Sequence, residues 1–114
     1  MSFAGGGGGY DIGGGGGGGG PPRSSCELLT FEAALASPNP ELLALVRVDR
    51  ILRVEVRNAG GSRVAVVVSD AGVLGSITSP QALQLIDCID EGHTYYAHVL
   101  QIQGGLCRVR IRHS

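Results

Sequence analysis

Leu52-Arg53-Val54-Glu55-Val56-Arg57-Asn58-Ala59-Gly60-Gly61-Ser62-Arg63-Val64-Ala65-Val66-Val67-Val68-Ser69, residues 52–69, is the stretch whose reading decides the fold. Leu52, Val54 and Val56 alternate with Arg53, Glu55 and Arg57. Successive side chains of a strand point to opposite faces, so this alternation describes a strand with one wet and one buried side. Asn58-Ala59-Gly60-Gly61-Ser62 has the composition of a hairpin turn. Residues 63–69 are then apolar and β-branched on both faces, which marks an interior strand.

Downstream, Asp70-Ala71-Gly72 turns the chain again, and residues 73–78 predict a third strand with Gly75 as a bulge or a close approach. Ser79 reads as the N-cap and Pro80 as the first residue of a helix over 80–91. Ala82, Leu85, Ile86 and Ile89 fall on one stripe, and Gly92 ends the helix. Asp87, Asp90 and Glu91 lie off the stripe; carboxylates in a last turn oppose the helix dipole, which reads as a solvated acidic end or the mark of a cationic partner. Residues 94–103 and 106–112 alternate again, joined by Gly104-Gly105 as a two-residue hairpin.

Upstream the pattern is mixed. Leu28, Phe31 and Leu35 recur at helical spacing, while 29–32 also reads as an extended stretch along a sheet; a short helix or irregular segment is the expectation. Ser37-Pro38-Asn39-Pro40 breaks the chain. Asn39 is placed to cap a helix that begins at Pro40, with Leu42, Leu43, Leu45 and Val46 as its apolar face. The fold class that results is mainly β with α. It is a small, partly open OB/SH3-like β-barrel of about five strands, with one helix (80–91) and a short helical N-terminal extension.

Composition bounds the rest. The chain has 114 residues, enough for one domain. Thirteen of its 20 glycines stand in Gly5–Gly9 and Gly13–Gly20, closed by Pro21-Pro22. Residues 1–25 are therefore expected to be a disordered, glycine-rich tether around a Tyr10-Asp11-Ile12 island, and 26–114 the single folded domain. No GK[ST] follows the glycines, which excludes a phosphate-cradling loop of that type. No positively charged n-region precedes an apolar stretch, so no secretory signal is expected, and a cytoplasmic, reducing setting follows. No apolar run reaches membrane-helix length, so no membrane partner is expected.

Several features of the sequence belong together. They are the strand before Asn58, Val64-Ala65-Val66-Val67, Asp70-Ala71-Gly72-Val73-Leu74-Gly75-Ser76-Ile77, and the helix ending at Asp90-Glu91-Gly92. Tyr95-Tyr96-Ala97-His98-Val99, Ile102-Gln103-Gly104-Gly105 and Val109-Arg110-Ile111 complete the set. In this order they resemble the HIRAN domain over residues 48–112, whose pattern includes G-x-x-Y-x-A-x-V-x-x-I-x-G-G. The resemblance implies an OB-like β-barrel, and several members of that family bind single-stranded DNA ends. The family's DNA-end loop carries an Asn-Pro-Tyr-Asp-type motif; the matching positions here are Asn58-Ala59-Gly60-Gly61. Asn58 is kept, the aromatic and the carboxylate are not. Stacking a base on an aromatic contributes about 1–3 kcal/mol, which this loop does not supply.

The residues that carry chemistry narrow function mainly by exclusion. All nine basic residues are Arg, so no lysine is present for a Schiff base. Cys26, Cys88 and Cys107 are odd in number without C-x-x-C spacing, which predicts neither a disulfide framework nor a zinc site; Cys88 and Cys107 are expected buried as small apolar residues. His93, His98 and His113 show no metal-ligand spacing. No cofactor, no metal, no small-molecule substrate and no catalytic residue is expected. Arg53 and Arg57 share a face of one strand, and Arg108, Arg110 and Arg112 share a face of the last. If those strands are neighbours, five guanidinium groups converge on one sheet face suited to phosphate or an acidic peptide, with Asn58 nearby. Net charge is −1, which excludes a uniformly basic nucleic-acid binder. The expectation is a non-catalytic binding or adaptor module acting through protein–protein contact or self-association. The alternative is weak single-stranded nucleic-acid binding through the Arg face.

Overall fold

The computed structural model describes residues 24–114. The expected tether and its Tyr10 island lie outside the described residues, apart from Ser24 and Ser25. These two belong to the folded domain: Ser24 Oγ accepts from Glu27 N, and Ser24 N donates to Glu27 Oε1. This reciprocal capping box starts helix α1, Ser25–Leu28. Strand β1, Thr30–Ala34, follows. Then come α2 (Pro40–Leu43), β2 (Ile51–Ala59), β3 (Ser62–Ser69), β4 (Gly72–Ile77), α3 (Ala82–Asp90), β5 (Tyr95–Gln103) and β6 (Leu106–His113).

The mainly β architecture expected from residue periodicity is what the chain adopts. The six strands among the described residues are antiparallel, in the order β1-β6-β5-β2-β3-β4. The sixth strand is β1, from the stretch with two readings. Phe31, Ala33 and Leu35 are buried while Thr30, Glu32 and Ala34 are exposed. That period of two prevails because β6 has an open edge to satisfy, and Glu32 meets Arg110 across it at 2.8 Å. Helical spacing in the same residues is honoured only up to Leu28.

The sheet curls into a barrel that is not closed. Beyond β1, Leu35 N still donates to Cys107 O of β6, and the chain then reaches β4, where Ala36 and Ser76 exchange backbone hydrogen bonds at 2.8 and 3.1 Å. Gly75 makes this crossing possible, since Leu35 and Ala36 pack directly on its backbone. The Gly60-Gly61 turn has both residues at positive φ (59° and 83°), as a type I′ hairpin requires.

The core lies between the inner sheet face and the helices. Leu74, Leu85, Val67, Val99, Val109 and Ile111 are wholly buried, each stabilising the fold by about 1.5–3 kcal/mol. Val64–Val68 is apolar and mostly buried on both faces, as expected of an interior strand. On the outer face Val66 and Val68 sit opposite Glu55 and Arg53.

Three local expectations are corrected. The helix begins at Ala82 with Gln81 at the cap; Ser79 contributes its carbonyl to Ala82 N, and its buried hydroxyl has no hydrogen-bond partner among the described residues. Asn39 does cap α2, accepting from Glu41 N and Leu42 N, yet Leu45 is 71% exposed because that helix stops after one turn. Cys26 and Cys88, 62 residues apart, form a disulfide. Docking of α1 against α3 brings their Cα atoms to 5.5 Å, a long-range event to which sequence spacing is blind. Cys107 is free and buried. Among the described residues no helix is long and apolar enough to cross a membrane.

Candidate functional site

The strands that carry the arginines are not neighbours: β5 runs between β2 and β6. The register nevertheless places all five on the outer face. Arg112 pairs with Tyr96, and Tyr96 pairs with Arg53, so an aromatic ring stands between two guanidinium-bearing positions in one cross-sheet row. The next row runs Glu32, Arg110, His98, Ile51; the row after it, Ala34, Arg108, Gln101. Arg57 lies two positions beyond Glu55 on β2. Tyr96 was not among the expected site residues. Its signal in the sequence is its parity: it alternates with buried Tyr95 and so shares a face with His98 and the arginines.

Ion pairs decide how much of this charge is free. Glu55 serves both Arg57 (3.0 Å) and Arg53 (3.8 Å), and Glu32 serves Arg110 (2.8 Å). Both carboxylates are at least a third exposed, so each pair contributes at most about 1 kcal/mol and yields to a competing anion. His98 Nε2 meets Asp49 Oδ1 at 2.9 Å. Arg108 and Arg112 have no carboxylate partner among the described residues. Beside Arg112 the surface opens into a cavity of about 820 Å³ lined by Arg110, His113, Thr30, Ser114 and Glu27, among others. Two guanidinium groups, two hydroxyls and an imidazole line it together with the Glu27 carboxylate, and the guanidinium groups can receive carboxylate or phosphate oxygens.

Asn58 does not join this group. It falls on the opposite face of β2 from Arg53 and Arg57, exposed near the Gly60-Gly61 turn. The loop that would carry DNA-end recognition therefore stands apart from the arginine face.

The nucleophile-bearing groups are tied into the fold. Burial pushes the Cys107 thiol above its ordinary pKa, which disfavours the thiolate. Burial, then the neighbouring Glu91, raises the Tyr95 phenol, which donates to the carbonyl of Cys26. Ser76 Oγ donates to Ala36 O. Among the described residues, a set of metal-capable donors comes together away from the arginine face: Cys26, Glu91 and His93, with donor atoms within 4.8 Å of one another.

Comparison with family models, curated proteins and solved structures finds no match for this chain. The likeness to the HIRAN domain accordingly rests on the quoted residues.

Proposed function

We propose that this chain is a non-catalytic, HIRAN-like binding module that takes an acidic segment of a protein partner across its outer sheet face. The observation that carries the reading is the Arg112–Tyr96–Arg53 row, with Arg108 and Arg112 free of carboxylate partners among the described residues and a cavity opening beside Arg112. An extended acidic peptide offers carboxylates along its length to a fork-shaped guanidinium at each row. Glu32 and Glu55 contact three of the five arginines and offset two of the five positive charges, so the positive excess of the face is modest. That favours a partner of modest charge density over the polyanionic backbone of nucleic acid.

A second reading has its own support. A ring flanked by guanidinium groups is also a stacking platform for an unpaired base, so single-stranded nucleic acid is the runner-up. A cytoplasmic setting belongs to the same proposal.

The test is fluorescence anisotropy of a labelled Asp/Glu-rich peptide and a labelled single-stranded oligonucleotide at low salt. Saturable peptide binding that weakens with salt and is lost in Arg108→Ala/Arg112→Ala supports the proposal. Oligonucleotide binding without peptide binding transfers the site to nucleic acid. Flat titrations with both remove the arginine face as a binding site.

A further inference from the structure

The C-terminal turn of α3 gathers groups that the arginine face does not use. Gly92, at φ 108°, ends the helix, with Gly92 N donating to Ile89 O (3.0 Å) and His93 N donating to Cys88 O (3.1 Å). This pair of bonds is a Schellman closure, and it pins Cys88, Glu91 and His93 in one turn. Cys26 arrives from α1, held there by Tyr95, whose hydroxyl donates to its carbonyl. The donor atoms of Cys26, Glu91 and His93 all lie within 4.8 Å of one another, and Cys88 is bonded to Cys26. His93 Nδ1 contacts His113 Nε2 at 3.0 Å, an outer contact that orients the ring.

Charge points the same way. Glu91 sits at the negative end of the α3 dipole, and the last turn of that helix has no basic residue. Asp90, its neighbour, is paired with Arg63, whereas Glu91 has no ion pair among the described residues. A cation at this position would relieve both the carboxylate and the helix end.

We infer that Cys26, Cys88, Glu91 and His93 form a Zn²⁺ site that becomes available when the disulfide is reduced. In the oxidised chain the two sulfurs are bonded to each other and hold α1 on α3. Reduction by a low-molecular-weight thiol transfers two electrons: two RSH molecules become RSSR, and the Cys26–Cys88 bond becomes two thiols. Zn²⁺ then displaces the two thiol protons and takes two thiolates, one imidazole nitrogen and one carboxylate oxygen. Two sulfurs, one nitrogen and one oxygen are a set that zinc accepts in tetrahedral geometry. With Zn–S about 2.3 Å and Zn–N about 2.0–2.1 Å, tetrahedral ligands stand about 3.3–3.8 Å apart. The Cys26, Glu91 and His93 donors, already within 4.8 Å of one another, reach that spacing by side-chain rotation, and Cα atoms 5.5 Å apart let the Cys88 sulfur, once parted from that of Cys26, turn to the same centre. Under either redox condition the same residues tie α1 to α3, by a covalent bond or by a metal.

The experiment uses the full chain, reduced with a phosphine and desalted without oxygen, against the oxidised chain. Zn²⁺ binding is read by competition with a chromophoric chelator. Co²⁺ serves as the spectroscopic probe for tetrahedral thiolate ligation, through its visible ligand-field bands and its near-ultraviolet charge-transfer band. One equivalent bound by the reduced chain and none by the oxidised chain is the expected result. His93→Gln and Glu91→Gln keep both cysteines, so their folding is verified in the oxidised state. Each is expected to bind at least about tenfold more weakly once reduced; Cys107→Ser is expected to bind like the parent. If reduction alone unfolds the chain, Zn²⁺ is expected to restore its far-ultraviolet circular dichroism. Failure to restore it, equal binding by the oxidised chain, or undiminished binding by His93→Gln would overturn the inference.

Discussion

A single methyl group placed at Gly75 measures how the barrel is held together. A Cβ built on Gly75 would stand 3.0 Å from Leu35 Cβ, 3.2 Å from Ala36 O and 3.3 Å from Leu35 Cδ1. Ordinary carbon contacts lie at about 3.5–4.0 Å, so all three are too close. The Ala36 carbonyl cannot retreat freely, because it accepts from Ser76 N at 3.1 Å and Ser76 Oγ at 3.4 Å. Overpacking of this kind costs about 1–3 kcal/mol. Gly75 is not at positive φ, so alanine also gains about 0.4–1 kcal/mol from the less flexible unfolded chain. The balance for Gly75→Ala is a net loss of about 1–2 kcal/mol. Gly105→Ala is the control: its φ is not positive and a Cβ there meets nothing within 4 Å. Only the gain of about 0.4–1 kcal/mol then remains. The same chemical change is thus expected to have opposite sign at the two sites. Urea denaturation of the oxidised chains, followed by circular dichroism, reads the difference as a shift in midpoint at constant slope. In thermal melts the two variants should separate by roughly 10 °C, at about 4–8 °C per kcal/mol for a domain of this size. If Gly75→Ala proves as stable as Gly105→Ala, the crossing of Leu35 and Ala36 over β4 is not the tight contact that the structure shows there.

Further expectations concern other parts of the fold. Leu85→Ala, at a fully buried position on α3, should lose about 3–5 kcal/mol in the same urea assay; a loss below 1 kcal/mol would mean that α3 does not seal the core. Reducing the Cys26–Cys88 bond in the presence of a chelator should cost about 4 kcal/mol, from a sequence separation of 62 residues and the chain-entropy relation. Glu32→Ala should change stability by less than about 1 kcal/mol, since the pair with Arg110 is solvent-exposed. The same variant should strengthen acidic-peptide binding in anisotropy, because it frees a guanidinium. Cys107 should resist alkylation in the native chain and react on unfolding. Its thiol is raised by burial, so its contribution to stability is present below the unfolded-state pKa and is lost as pH rises through the higher folded value. Urea midpoints should accordingly fall above about pH 9, and they should fall less in Cys107→Ala.

Most of what is local could be read directly from the residues. The alternation in Leu52–Arg57, the two glycines after Ala59, the β-branched run that follows and the Asn39-Pro40 cap each act within a few positions along the chain. Their structures follow from side-chain period, backbone freedom and capping chemistry. The outward parity of each arginine set was legible for the same reason. Which strands stand side by side was not. The choice of strand for Thr30–Ala34, the insertion of Tyr95–Gln103 between the two arginine-bearing strands, and the meeting of Cys26 with Cys88 all join residues tens of positions apart. Such contacts are settled by satisfying exposed sheet edges and burying one shared apolar face, and these depend on the whole fold. Local pattern alone therefore determined the five strands after Val48 and, where they alternate, which side was wet. Tertiary packing decided that Tyr96 would stand between Arg53 and Arg112, and that two sulfurs, a carboxylate and an imidazole would meet at the end of a helix.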